Sequence, residues 1–349
     1  MTDLASLLNK DILSLAGEYP VEELKWRELN DCGLSFSIKR DDLLHPLVSG
    51  NKLYKLWGHL RRAKAQGAQQ LLSFGGAYSN HLHALAAAGQ ALGIATLGII
   101  RGERAQTLTP TLRDCEALGM TLYFVSRQEY RDKHLGASAQ RLMQSHANVY
   151  LVPEGGGGEA GSEYCGALMS VIEGSVSASS KVPAGNDEAT LCVPCGTATT
   201  FRGLLRGSCG QLNMMGFSAI KAGPLDNEGG EPQLTRDTRS FIDDCQLTSV
   251  PQWRIDYGSA RRGFARPDPE LMLFIQAFFR ETGVPLEPVY TGKMLLRILE
   301  LAREGFWPEG HSIIALHTGG LQGLRGYPDL ESLIPQSIDA LDLMTTAGV

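Results

Sequence analysis

The chain has 349 residues, enough for one large domain or two closely joined ones with a substantial core. A formal net charge of −6 gives no bulk basic field for nucleic acid, and 43% hydrophobic with 20% charged residues is ordinary for a soluble globular protein. Glycine is in excess, 40 residues, and clusters at turns between apolar runs, as α/β proteins require.

From the N-terminus onward, no basic segment leads into an apolar stretch, so no signal peptide is expected. No run approaches the ~18 apolar residues of a membrane span. A cytoplasmic protein is the expectation. Residues 71–74, 95–100, 121–125, 149–152, 190–193, 214–220 and 313–316 are short apolar runs bounded by Gly or Pro, and they read as buried parallel strands. Between them, Leu53, Leu56, Trp57 and Leu60 fall on one face of a helix ended by Gly67. Residues 81–92 are rich in Ala and Leu and stop before Gly93. Asp268-Pro269 predicts an N-cap and first turn for a buried helix reaching Thr282. Such alternation predicts an α/β fold with helices on both faces of mostly parallel sheets. Residues 175–188 read as a linker or surface loop, and 221–254 as a long polar segment without a sustained period. The seven cysteines are irregularly spaced, so neither a disulfide framework nor a metal site is expected. Cys192 and Cys195 form a lone C-x-x-C that closes a strand run.

Three pieces carry chemistry. Lys52 follows Ser49-Gly50-Asn51, a tight turn before the amphipathic helix, which places an amine at a helix start; Lys55 is its nearest rival. Residues 73–81, Ser-Phe-Gly-Gly-Ala-Tyr-Ser-Asn-His, leave a strand and open a helix, where free amides suit an anion and Ser79 suits an N-cap. Cys195 ends a strand run, and Gly196-Thr197-Ala198-Thr199-Thr200 precedes a helix, a ready phosphate cup of N–H groups and hydroxyls. The cup has neither the lysine of a nucleotide P-loop nor the spacing of a dinucleotide fold. The glycine run 155–158 reads as a tight strand-exit loop, and Arg261, Arg262 and Arg266 as a local basic patch serving a cofactor, a substrate or an interface.

The order and wording of these pieces resemble the tryptophan-synthase-β-like (fold type II) pyridoxal-phosphate (PLP) enzymes. Lys39-Arg40-Asp41-Asp42-Leu43-Leu44-His45-Pro46 followed by Ser49-Gly50-Asn51-Lys52 resembles, within them, the D-cysteine desulfhydrase / 1-aminocyclopropane-1-carboxylate (ACC) deaminase family. The resemblance runs from about Lys39 to about Gly326. It implies two open twisted sheets, a small domain of residues 53–163 and a large one of 1–52 and 164–349, with the active site in the cleft between them. It also implies a homodimer acting on a small amino acid. Lys52 would carry the Schiff base. Asn80 would bond the phenolic oxygen, and Cys195, Gly196, Thr197, Ala198, Thr199 and Thr200 would hold the phosphate. Thr318 would face the pyridine nitrogen. Ser79, Tyr257 and Tyr290 would join Lys52 in catalysis, with Tyr290 also touching the cofactor. Asn51, Ser79, Asn80, His81, Tyr257 and Thr291 would meet the substrate.

ACC deaminases, as the resemblance is drawn, carry Glu directly after the second tyrosine and Leu at the position of Thr318. Thr291 and Thr318 match the D-cysteine desulfhydrase pattern instead. A hydroxyl at the ring nitrogen makes a shallower electron sink than a carboxylate does. Removing a β-thiol from a substrate with a Cα proton demands less of that sink than opening a cyclopropane without one. The expectation is therefore β-elimination: D-cysteine to pyruvate, sulfide and ammonia. ACC ring opening, racemisation, β-replacement and a non-enzymatic binding module are the alternatives. The residues after the paired glycines, Gly157-Gly158-Glu159, depart from the family's more polar pattern and leave the substrate open.

Overall fold

The structure is a computed structural model describing residues 4–19, 21–146, 148–178, 188–223 and 231–338. Ten strands occur among the described residues: β1 (Val21–Glu23), β2 (Ser35–Lys39), β3 (Gln70–Gly75), β4 (Ala95–Arg101), β5 (Met120–Val125), β6 (Val149–Leu151), β7 (Ala189–Cys195), β8 (Asn213–Ser218), β9 (Trp253–Asp256) and β10 (Ser312–Leu316). The chain forms two compact units. One takes the described parts of Met1–Lys10, His45–Gly161 and Gly320–Val349; the other takes the described parts of Asp11–Leu44 and Ser162–Gly319.

The first unit holds a four-stranded, wholly parallel sheet in the order β5-β4-β3-β6. Successive side chains of a strand point to opposite faces. Leu72 and Phe74 of β3 join Leu97, Ile99 and Val125 in a cluster with Ala139 and Leu142 of the helix Ala137–Ser145. Ser73, between them, turns the other way and bonds to His81 on the helix Asn80–Leu92. Helices therefore cover both faces, which is why these strands read as continuous apolar runs.

The second unit holds a six-stranded sheet in the order β1-β2-β10-β7-β8-β9, parallel except for the antiparallel β1–β2 pair. On it, Trp26 meets Phe36 of β2 at 5.2 Å and Phe278 at 5.1 Å, both edge to face. Phe278 lies on the helix Pro269–Thr282, capped by the Asp268 carboxylate and ended by left-handed Gly283, as Asp268-Pro269 predicted. The helices Gly166–Ala178 and Thr199–Gly207 cross closely. A Cβ on Gly203 would lie 2.3 Å from the Ser162 carbonyl oxygen, and one on Gly207 2.5 Å from that of Gly166.

All seven apolar runs contain strands, with β6 ending one residue and β8 two residues before the end of its run. Two other expectations need correction. The segment 221–254 contains the helix Gln233–Asp244 and the start of β9; Leu234, Thr238, Phe241 and Ile242 do keep helical spacing along it, a three-turn period set within a segment that is otherwise polar and punctuated by Gly and Pro. Residues 175–178 end the helix Gly166–Ala178 rather than beginning a loop, and 179–187 lie outside the described residues. β1 and β2, short and partly polar, had no run to announce them. No helix of the described residues is long and apolar enough to cross a membrane.

Candidate active site

In the first unit, the turn before Lys52 is built on Gly50, whose φ of 63° and ψ of −143° favour glycine and start the helix Asn51–Ala65. Lys52 occupies the second helical position, and its Nζ donates to Asn51 Oδ1 at 2.7 Å. Leu53, Leu56, Trp57 and Leu60 are buried as their spacing predicts. The other face is buried too. Lys55 donates to the Gly155 carbonyl at 3.3 Å, and His59 Nε2 lies 3.0 Å from the Gly157 carbonyl. Lys55 and His59 thus bind the glycine run 155–158 to the helix that carries Lys52.

The exit of β3 supplies the next group. Ser79 is the N-cap of the helix Asn80–Leu92, its Oγ accepting from the Leu82 N–H at 3.2 Å. Asn80 Oδ1 accepts from Gln322 Nε2 at 2.6 Å. His81 is fully buried. The Ser73 hydroxyl spends its single proton on the Val152 carbonyl at 2.7 Å, so His81 Nε2 must be the donor in its 2.8 Å bond to Ser73 Oγ. That leaves Nδ1 as an acceptor, buried and without a partner. Burial, with His59, Lys52 and Lys55 nearby, holds this imidazole well below the usual histidine range, so it is neutral.

In the second unit, Cys195 closes β7 as a buried thiol, and Gly196 follows under the Tyr290 ring, where a Cβ would come 3.1 Å from a ring carbon. Ala198 adopts a left-handed conformation, φ 52°, and begins the helix Thr199–Gly207. Its first turn has N–H groups without intrahelical acceptors. Beside them the Thr197 and Thr199 hydroxyls are 2.8 Å apart, and the Arg202 guanidinium donates to the Thr197 carbonyl, bracing the turn.

Tyr290 caps the helix Thr291–Arg303, yet the cap hydrogen bonds come from Glu287. This buried carboxyl accepts the N–H groups of Val289 (2.7 Å), Tyr290 (2.9 Å) and Thr291 (2.7 Å), and the Thr291 hydroxyl at 3.1 Å. Burial pushes Glu287 upward from the ordinary carboxylate range against the pull of these donors. Thr291 is buried with its hydroxyl turned to Glu287. The Tyr257 hydroxyl pairs with the Thr235 hydroxyl at 2.8 Å and accepts the Thr235 N–H at 3.2 Å. Thr318 is buried at the end of β10, next to His317. The His317 Nδ1 accepts the Gly319 N–H, and its Nε2 donates to the Pro285 carbonyl. Arg261, read as part of a basic patch, is bound in ion pairs to Asp268, Glu270 and Glu300.

The donor set suits pyridoxal phosphate. Lys52 offers an amine for an aldehyde, the Gly196–Thr200 turn offers N–H and hydroxyl groups for a phosphate, and Asn80 offers a carboxamide N–H for a phenolic oxygen. Glu287, Gln322 and Thr235 went unnoticed in the sequence. Glu287 had a local signal, a carboxylate one turn before a helix start; Gln322, 242 residues from Asn80, had none.

Comparison with known proteins agrees with this chemistry. Residues 12–319 match a family model described as pyridoxal-phosphate dependent enzyme. A Pyrococcus abyssi protein, named provisionally as a 1-aminocyclopropane-1-carboxylate deaminase, is 27% identical over 323 residues, covering 91% of this chain and 94% of its own length. The mitochondrial bifunctional D-cysteine desulfhydrase/1-aminocyclopropane-1-carboxylate deaminase of Arabidopsis thaliana is 26% identical over 310 residues, covering 84% of this chain and 74% of its own. The crystal structure of an ACC deaminase homologue superposes with a TM-score of 0.74 at 23% identity, over 95% of this chain and 99% of that one. It shares the fold.

Proposed function

The chain belongs to the family of pyridoxal-phosphate dependent enzymes, and from that premise we propose that it is a β-eliminating lyase of the D-cysteine desulfhydrase type. It would convert D-cysteine and water to pyruvate, hydrogen sulfide and ammonia, working as a cytoplasmic homodimer whose small domain is residues 53–163. When bound, the cofactor supplies an electron sink for negative charge at the substrate Cα. Lys52 Nζ would hold the cofactor, and Lys52, Ser79 or Tyr290 would take the Cα proton. The N–H and hydroxyl groups of Gly196–Thr200 bind the phosphate. Asn80 donates from Nδ2 to the phenolic oxygen, and the Thr318 hydroxyl is a neutral partner for the ring nitrogen. Asn51 and His81 of the first unit and Tyr257 of the second would each contact the substrate.

The observation that carries this reading is Thr291. The position after Tyr290 offers the substrate no carboxylate, and its hydroxyl is already bound to Glu287. ACC ring opening is the second reading, favoured by the name of the Pyrococcus abyssi relative, while the name of the Arabidopsis thaliana relative carries both activities. The test is a product assay on D- and L-cysteine, D- and L-serine, β-chloro-D-alanine and ACC. Pyruvate from a D-amino acid with a β-leaving group is expected. Faster formation of 2-oxobutyrate from ACC than of pyruvate from every D-amino acid would overturn the choice.

A further inference from the structure

An amide side chain has one accepting and one donating end, and which end faces a ligand is set by what holds the other. Asn80 is held by a turn far along the chain. Gln322 lies buried on the turn Leu321–Gly326 and donates from Nε2 to Asn80 Oδ1 at 2.6 Å. On the opposite side, Gly320 has a φ of 87°, and a Cβ there would lie 2.4 Å from Asn80 Nδ2. Only a glycine lets the carboxamide lie in this place.

The turn is itself pinned. Arg325 Nε donates to the Gln322 carbonyl at 3.2 Å, and the rest of its guanidinium spans both oxygens of Asp114. The same carboxylate takes His83 Nε2 at 3.0 Å. His83 is one turn beyond Asn80 on the same helix, so the path from Asn80 through Gln322, Arg325, Asp114 and His83 returns to its start. Arg325, Asp114 and His83 are all buried at their polar ends.

We propose that Gln322 is a positioning residue that fixes the Asn80 carboxamide with Oδ1 engaged and Nδ2 presented as the donor to the cofactor's phenolic oxygen. The inference rests on the pyridoxal-phosphate reading of Asn80. A donor at that oxygen draws off its negative charge; without it, the charge holds a neighbouring proton more tightly. Gln322 therefore sets both the affinity for the cofactor and the pH at which its bound form changes colour.

A double-mutant cycle on the holoenzyme tests this, with Gln322→Met, Asn80→Ala and the pair. Cofactor affinity would be read by equilibrium dialysis and the pH midpoint of the visible absorbance by titration. Gln322→Met, nearly isosteric, should weaken pyridoxal phosphate binding roughly tenfold and raise the midpoint. The double variant should be no worse than Asn80→Ala. Gln322→Glu cannot donate and would invert the carboxamide, so it should lose more affinity than Gln322→Met. Additive losses overturn the proposal, as does a lowered melting temperature with an unmoved midpoint. A wild type that forms no cofactor absorbance and takes no borohydride label at Lys52 would instead refute the cofactor reading, and this inference with it.

Discussion

Replacing His59 with Gln should flatten the acid limb of the stability profile. His59 is buried on the helix that carries Lys52, with Nε2 against the Gly157 carbonyl at 3.0 Å and Nδ1 3.1 Å from the Tyr150 hydroxyl. The carbonyl cannot donate, so Nε2 carries the proton and Nδ1 accepts from Tyr150. Protonating Nδ1 would cost that bond and bury a charge. Burial accordingly lowers the group from the ordinary 6.5 to about 4. The unfolded chain then binds a proton that the folded chain refuses. Stability from this group is complete above pH 6.5 and is lost as pH falls towards 4. At 1.36 kcal/mol per unit, the loss is about 2 kcal/mol by pH 5 and about 3 kcal/mol by pH 4. Glutamine keeps one donor and one acceptor but does not titrate. Urea unfolding midpoints at pH 7, 6, 5 and 4 would be compared between wild type and His59→Gln. The wild type's advantage should shrink or reverse by those amounts as pH falls. An advantage constant over the whole range would refute the reasoning.

Lys52→Ala should abolish the cofactor's absorbance and turnover, and borohydride reduction of the wild type should label the peptide carrying Lys52; a label on Lys55 would overturn that assignment. Thr200→Leu should weaken pyridoxal phosphate binding roughly ten- to a hundredfold, the loss of one charge-assisted hydrogen bond, and unchanged affinity by dialysis would move the phosphate site elsewhere. Asp114→Ala leaves the buried Arg325 and His83 without their carboxylate and should cost about 3–5 kcal/mol in urea unfolding at neutral pH. Desolvation raises the Asp114 carboxyl, but His83 and Arg325 outweigh it and hold the group below 3.8, so its contribution is present above that pH and fades as pH falls further. A difference between wild type and Asp114→Ala that persisted undiminished in strong acid would contradict the pairing. Glu287→Ala strips acceptors from three successive N–H groups and should destabilise by about 2–4 kcal/mol, read by the same melts.

Buried parallel strands were legible because strands covered on both faces are apolar at every position. Residues 71–74 and 190–193 announced β3 and β7 in this way. The helix Pro269–Thr282 was legible because its start and stop are local, with Asp268 and Pro269 at one end and Gly283 at the other. The cofactor class was legible because Ser49–Lys52, residues 73–81 and Gly196–Thr200 each form a contiguous turn whose chemistry is carried by neighbours in sequence. Other features depended on residues that meet only after folding. β2 pairs with β10, Phe36 opposite Ile313, although they lie 277 positions apart in the chain. The helix Gln233–Asp244 was a different kind of miss: its stripe of Leu234, Thr238, Phe241 and Ile242 is local, but it spans only three turns inside a polar segment rich in Gly and Pro. His81 could be named from its motif, but its tautomer follows from Ser73 and Val152, which tertiary structure alone brings to it. Thr291 stood out as a threonine after a tyrosine, yet the direction of its hydroxyl was decided by the buried Glu287. Local backbone preferences travel with the sequence. The orientation of an amide, a hydroxyl or an imidazole is set by whichever donor or acceptor the fold delivers against it, as Gln322 is delivered against Asn80.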